Sequence, residues 1–347
     1  MGGSVDLQVV SEGMAELSLS DIGEGFELIP LETTDSVLLN DIRRIEKVVH
    51  RGGEYYIVSG SIVYRFSDNG AFLNTIGRIG RGPGEYTSLR DFDVEGEEKQ
   101  VVILASGKIF VFSPDGNLRR LFDAEPMSMS VAVLGSTIVT YSDNMTESSA
   151  NSFCFYDPEG NKTGCLPSYY GYDGEVSTVM VFFSRPFYKW RGNLFAREFH
   201  SDTVVMFRGT RPEPYIVLSS GTGRYTPELR TSAVSPRDYV IVEQLFETAD
   251  YLVVRFSYRG RSVMLFRNKG TLENIAVNVK NGIPDDVTGG SAVRVFHYSE
   301  EEDCLFYLIN ATEYLRYREK AGGPEIAGDG NPVIVRFRIR KSLQKTG

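Results

Sequence analysis

Apolar and polar positions alternate along this chain in short runs, and the runs recur as one strand-turn-strand unit. An aromatic residue ends one strand of each unit, and a tight polar turn usually follows it. The copies include Val63-Tyr64-Arg65-Phe66-Ser67-Asp68-Asn69-Gly70, Phe110-Val111-Phe112-Ser113-Pro114-Asp115-Gly116 and Cys154-Phe155-Tyr156-Asp157-Pro158-Glu159-Gly160. The six aromatic anchors Phe66, Phe112, Tyr156, Phe207, Phe266 and Phe337 are separated by 46, 44, 51, 59 and 71 residues. Strand-rich units at a period near 40–50 residues predict an all-β, six-bladed β-propeller, one four-stranded antiparallel blade per repeat. The anchors mark the end of each third strand. Apolar, β-branched and aromatic runs such as Tyr55-Tyr56-Ile57-Val58 and Leu305-Phe306-Tyr307-Leu308 precede them and read as second strands buried on both faces.

The two chain ends complete this pattern. Only ten residues follow Phe337, which leaves little room for a fourth strand in the last blade. Phe26-Glu27-Leu28-Ile29-Pro30-Leu31 is a strand pattern with no partner before it. It is therefore expected to supply the outer strand of the last blade and close the ring. Residues 1–25 form a lead-in, and the whole chain of 347 residues reads as one domain.

The net charge of −9 argues against a nucleic-acid partner, because an acidic chain repels a phosphate backbone. No run of about 18 apolar residues is present to span a membrane. Met1-Gly2-Gly3-Ser4 shows neither a charged n-region nor an apolar h-region, which leaves a cytoplasmic protein or one whose secretion signal was removed. Cys154 and Cys165 flank one predicted hairpin. A bulge at Gly160 would offset them, so the expectation is two separate buried thiols, with Cys304 in the core.

Two stretches resemble a known family. Leu17-Ser18-Leu19-Ser20-Asp21-Ile22 with Glu27 to Thr34, and Gly77-Arg78-Ile79-Gly80-Arg81-Gly82-Pro83-Gly84-Glu85-Tyr86, are similar to the NHL-like six-bladed propeller family of Bacteroides-type bacteria. Ser201-Asp202-Thr203-Val204-Val205 is similar to the family's fourth-blade entry, so the likeness covers essentially the whole chain. The resemblance implies a periplasmic or cell-surface lipoprotein, although the family's lipid-anchored Cys is missing near the start of this sequence. It implies no established activity.

Candidate chemistry is sparse. Gly77 to Tyr86 reads first as a structural crossover between blades, with Glu85 accepting backbone N–H bonds. Its functional alternative is a ligand loop in which Arg78, Arg81, Glu85 and Tyr86 make contacts. Tyr170, Tyr172 and Asp173 give the crossover between the third and fourth blades the rings and carboxylate of a sugar-binding surface, and Arg185 and the lone Trp190 lie just downstream. The three histidines His50, His200 and His297 fall on different connections, so neither a zinc site nor a histidine-led triad is expected. Asp91 and Asp93 alternate on one predicted inner strand and leave calcium open, while no other cofactor is indicated. The loops Ser219 to Pro236, Lys280 to Gly290 and Tyr317 to Asn331 are expected to be the most mobile parts.

These features favour a monomeric, non-enzymatic binding protein of the cell envelope, with a small carbohydrate or peptide ligand at one mouth of the channel. A carboxylate- and Tyr-based lyase or hydrolase at the same mouth, or a scaffold docking an envelope protein, are the alternatives.

Overall fold

A computed structural model describes the chain except residues 1–2, 36, 40–41, 96–97, 144–149, 170–184, 232–233, 322–323 and 344–347. Its six sheets are the six blades of a propeller. The first five blades run Ile45–Ile76, Leu89–Asp123, Ser128–Pro167, Phe187–Ser219 and Ile241–Asn278. Each is a four-stranded antiparallel meander. All six aromatic anchors lie in third strands and are at most 3% exposed. Second strands are buried on both faces, as their unbroken apolar runs require: Tyr55, Tyr56, Ile57 and Val58 are completely covered. Burying each such side chain contributes on the order of 2–3 kcal/mol, so the interfaces between blades carry most of the stability.

The sixth blade is assembled from both chain ends, as the strand count demands. Its first three strands are His297–Ser299, Cys304–Ile309 and Val333–Ile339, and its outer strand is Gly23–Pro30. The pairing runs Val333↔Pro30, Ile334↔Ile29, Val335↔Leu28 and Arg336↔Glu27. Phe26 stacks on the anchor Phe337 with ring centroids 5.0 Å apart. Arg336 then ties this blade to the first one, bonding Glu27 at 2.8 Å and Asp68 at 2.6 Å. His50 joins the same seam, with Nδ1 2.9 Å from the Ser299 hydroxyl and Nε2 3.2 Å from Asp68.

The lead-in does more than precede the ring. Ser4–Asp6 pairs in parallel with the outer strand of the fourth blade, and Met14–Ala15 with that of the fifth. Leu7, Leu17, Leu19 and Ile22 are buried beneath it. The chain start thus covers three consecutive blade edges that would otherwise expose unpaired N–H and C=O groups. The alternation in so short a segment is too brief to reveal this in sequence.

One expectation needs correction. Cys154 and Cys165 are joined in a disulfide rather than being separate thiols. Continuing the Tyr156↔Lys162 pairing without interruption would set Gly164 opposite Cys154. A bulge between Phe155 and Tyr156 passes over Thr163 and brings Cys165 opposite Cys154 instead. The bulge falls at Thr163 rather than at Gly160, and there it aligns the sulfurs instead of offsetting them. Cys304 is a buried free thiol, as expected. Two of the three long loops contain defined local structure. Ala311–Ala321 is a helix, and Lys280 to Gly290 is pinned by Asp285. That carboxylate accepts bonds from the Thr288 N–H at 2.7 Å and the Tyr307 hydroxyl at 3.0 Å.

Deleting residues 1–31 should lower the thermal midpoint by at least about 5 °C, because it strips the edges of three blades; an unchanged midpoint would contradict the closure. A finer test uses Gly70, whose φ is +85° and where a Cβ would stand 2.1 Å from the Pro30 carbonyl oxygen across the seam. Gly107 has φ +72° with open space around it. Denaturation should show Gly107→Ala costing about 1 kcal/mol for backbone strain alone, and Gly70→Ala about 3 kcal/mol or more.

Candidate functional site

The first strands of the six blades surround the central channel, so side chains that alternate on them either enter the channel or pack between blades. The innermost strand of a blade also leaves one edge unpaired, and its N–H groups there need partners. The second blade supplies them. In Leu89–Glu95, Phe92 and Val94 are fully buried between blades, and Asp91 and Asp93 reach the inner strand of the third blade. Asp91 accepts from the Val131 N–H at 2.9 Å, and Asp93 from the Val133 N–H at 2.8 Å. Both carboxylates are also held by ammonium groups from across the channel. Lys47 of the first blade stands 2.8 Å from Asp91, and Lys189 of the fourth stands 2.8 Å from Asp93 and 2.5 Å from Glu95. Arg51 extends the network to Glu95, Glu300 and Glu301. The pair that left calcium open is therefore bound by two lysines. Glu125, Cys154 and Cys165 also cluster, but their two sulfurs are bonded to each other.

The channel has two compartments. A mouth of about 410 Å³ opens where the inner strands begin, on the face that carries the long crossover loops. An inner chamber of about 150 Å³ lies beyond it. Lys47, Val131, Arg185, Phe187 and Gln244 line both and form the waist between them. Glu243 and Arg255 pair at 3.0 Å in the mouth.

Arg185 is the exception among the cations that line the inner chamber. Its Nη2 donates to the Glu46 carbonyl at 2.9 Å, and among the described residues no carboxylate lies within ion-pair distance of it. Burial works against its charge; Asp91 supports that charge and Arg255 opposes it, with a net lowering. Beside it, His297 is only 4% exposed and lines the chamber. Burial, then the charges of Arg185 and Lys47, hold its pKa well below the usual imidazole value, so the ring is neutral. Burial raises the Glu46 carboxyl.

Of the residues singled out from sequence as ligand contacts, Arg185 enters the channel, beside the Asp91 and Asp93 pair. Arg78, Arg81, Glu85 and Tyr86 build the crossover between the first two blades, away from the channel lining. Glu85 accepts the Gly82 N–H at 2.9 Å, as expected for a residue that fixes the loop, and a Cβ at Gly80 would stand 1.9 Å from its Oε2. Tyr86 is buried against Phe110, while the Arg78 side chain is 82% exposed. Trp190 is only 8% exposed, packed near Tyr298 with the Lys269 ammonium 4.3 Å from its ring centroid. Tyr170, Tyr172 and Asp173 lie outside the described residues. Sequence reasoning missed Lys47 and His297 as channel groups. Their signal was present: each sits at an alternating position on a first strand, but single polar residues there do not announce their partners.

A family profile described as "Domain of unknown function (DUF4934)" matches residues 4–338. Among solved structures, the chain is similar to a putative exported protein from Bacteroides fragilis, with 15% identity, 98% of this chain and 99% of that one covered, and a TM-score of 0.69. It is also similar to a member of the DUF4221 family from Bacteroides vulgatus, at 11% identity, 94% and 98% coverage and a TM-score of 0.57. A search of curated proteins found no match. At these identities the likeness shows the fold.

The channel network has a pH signature. Burial by itself would raise the Asp93 pKa, but Lys189, Lys47 and the Val133 N–H together hold it below the ordinary carboxylate value. Asp93 therefore adds stability above its unfolded pKa of about 3.9, and this is lost as pH falls through its lower folded pKa. Lys189→Met leaves burial dominant, so the variant should lose about 3–5 kcal/mol at pH 7 and distinctly less near pH 4. Urea melts at the two pH values would check this; an equal deficit at both would contradict the pairing.

Proposed function

The chain belongs to the DUF4934 family, and we propose that it is a non-enzymatic binding protein of the bacterial envelope, holding a small carbohydrate or peptide at the wide mouth of its channel. The observation that carries this reading is Arg185. A guanidinium offers five N–H donors, and among the described residues this one makes a single hydrogen bond while standing at the waist of the channel. Holding a cation there without a carboxylate is costly unless it serves a ligand. The disulfide supports an exported protein, since such bonds persist mainly in oxidising compartments. Asp91 and Asp93 are each engaged by a lysine and a backbone N–H, which favours holding a ligand over acid-base turnover.

Binding should be visible as thermal stabilisation. A ligand at about 100 times its dissociation constant adds about 2.7 kcal/mol, or several degrees. Screening neutral and charged oligosaccharides, short peptides and calcium should yield a shift with one of the organic classes. Arg185→Gln should abolish that shift and leave the unliganded midpoint nearly unchanged, because it removes only one backbone contact at about 1 kcal/mol. A ligand shift that survives Arg185→Gln intact would place the site elsewhere. A calcium shift lost in Asp91→Asn would reassign the channel to a metal.

A further inference from the structure

The inner chamber adds a specificity that the mouth alone does not have. We propose that it is a receptor for a single carboxylate, bound by the Arg185 guanidinium and the His297 imidazole, so that the ligand is an acid whose neutral remainder rests in the mouth. This rests on the mouth being the binding site. It goes further by naming the group that passes the waist.

Three observations lead there. The first is the pairing of the chamber's cations. Lys47 and Lys189 are neutralised by Asp91, Asp93 and Glu95, and Arg51 by Glu95, Glu300 and Glu301. Arg185 is left as the one lining cation without a counter-charge among the described residues. A ligand carboxylate would give this guanidinium the direct partner that the neighbouring acids give the other three cations.

The second is His297. The ring is more than nine-tenths buried, stacks on Phe306 with centroids 5.5 Å apart, and its Nδ1 is enclosed without a hydrogen-bond partner. No bond to either ring nitrogen exists among the described residues. Nδ1 has no open surface, so Nε2 is the ring atom left to a partner in the chamber that His297 lines. A neutral imidazole donates one N–H, which suits a carboxylate oxygen. A cation is disfavoured, because the charges of Arg185 and Lys47 act on the same ring.

The third is size and shape. About 150 Å³ accommodates a group the size of several waters, not a whole disaccharide. The mouth above it, at about 410 Å³, takes the larger remainder. A planar carboxylate matches one guanidinium fork. A tetrahedral dianion would call for more free positive charge than Arg185 supplies.

The chain has only three histidines, so its imidazole resonances can be followed one by one by NMR. His297→Gln assigns the signal. The probes are glucuronate against glucose, and N-acetylalanine against its amide, with inorganic phosphate as a further anion. The acids should move the His297 resonances and leave those of His50 and His200 in place, and the neutral counterparts should not. Which acid binds more tightly separates a uronic acid from a peptide terminus. Arg185→Gln should weaken the acid by about tenfold or more, and Arg185→Lys, which keeps the charge but not the fork, by less. Unchanged His50 and His200 signals verify that both variants are folded. Phosphate binding as well as either acid, or an acid response that persists in Arg185→Gln, would overturn the proposal. A neutral probe that stabilises the protein, is lost in Arg185→Gln and leaves His297 unmoved would overturn the carboxylate and keep the mouth. Silence from every probe would sink both.

Discussion

The inner edges of the blades set the constraint on which this molecule turns. A propeller pairs each blade's strands with one another, but its innermost strand has a neighbour on one side only. In a narrow channel the free N–H groups on the other side cannot be left bare. Here Asp91 and Asp93 satisfy Val131 and Val133 of the next blade, and the lysines Lys47 and Lys189 neutralise those carboxylates from the blades on either side. One alternating strand thus links four blades through the axis of the ring. It also fixes which charges of the inner chamber are spent on structure, and among the described residues Arg185 is the chamber cation with no carboxylate at ion-pair distance.

The outside of the ring meets the same constraint by another route. There the chain start lies along the outer strands of the fourth and fifth blades and then becomes the outer strand of the sixth. Arg336, Asp68 and His50 lock the resulting seam to the first blade. His50 is consequently a structural residue: burial lowers its pKa and Asp68 opposes that lowering. Edge protection and ring closure are one arrangement, because the segment that covers the open strands is also the one that joins the ends.

The candidate residues sorted themselves by this logic. Glycines and aromatics drew attention to Gly77–Tyr86 and to Trp190, and in both the structure shows packing. Glu85 closes its own loop, and Tyr86 and Trp190 fill spaces within and between blades. The channel groups are ordinary Lys, Asp, Arg and His residues, each unremarkable in its own strand. Their meaning comes from meeting at one axis, with partners 44 to 96 residues away in sequence for the acid-lysine pairs, as Lys47 with Asp91 and Lys189 with Asp93 illustrate.

What the sequence by itself determined is the repeat: six aromatic anchors, two-faced apolar second strands, and a last blade one strand short that a stray N-terminal strand had to complete. These follow from local periodicity and strand counting, which the linear pattern records directly. Only the tertiary structure decided the disulfide, the parallel lead-in strands and the channel site. Each depends on an alignment between distant segments. A single-residue bulge at Thr163 chose the partner of Cys154, the curvature of the ring brought Ser4–Asp6 to the fourth blade, and the meeting of the inner strands determined which chamber cation has no carboxylate beside it among the described residues. Pairing of that kind is a property of register and closure, and no stretch of the chain carries it alone.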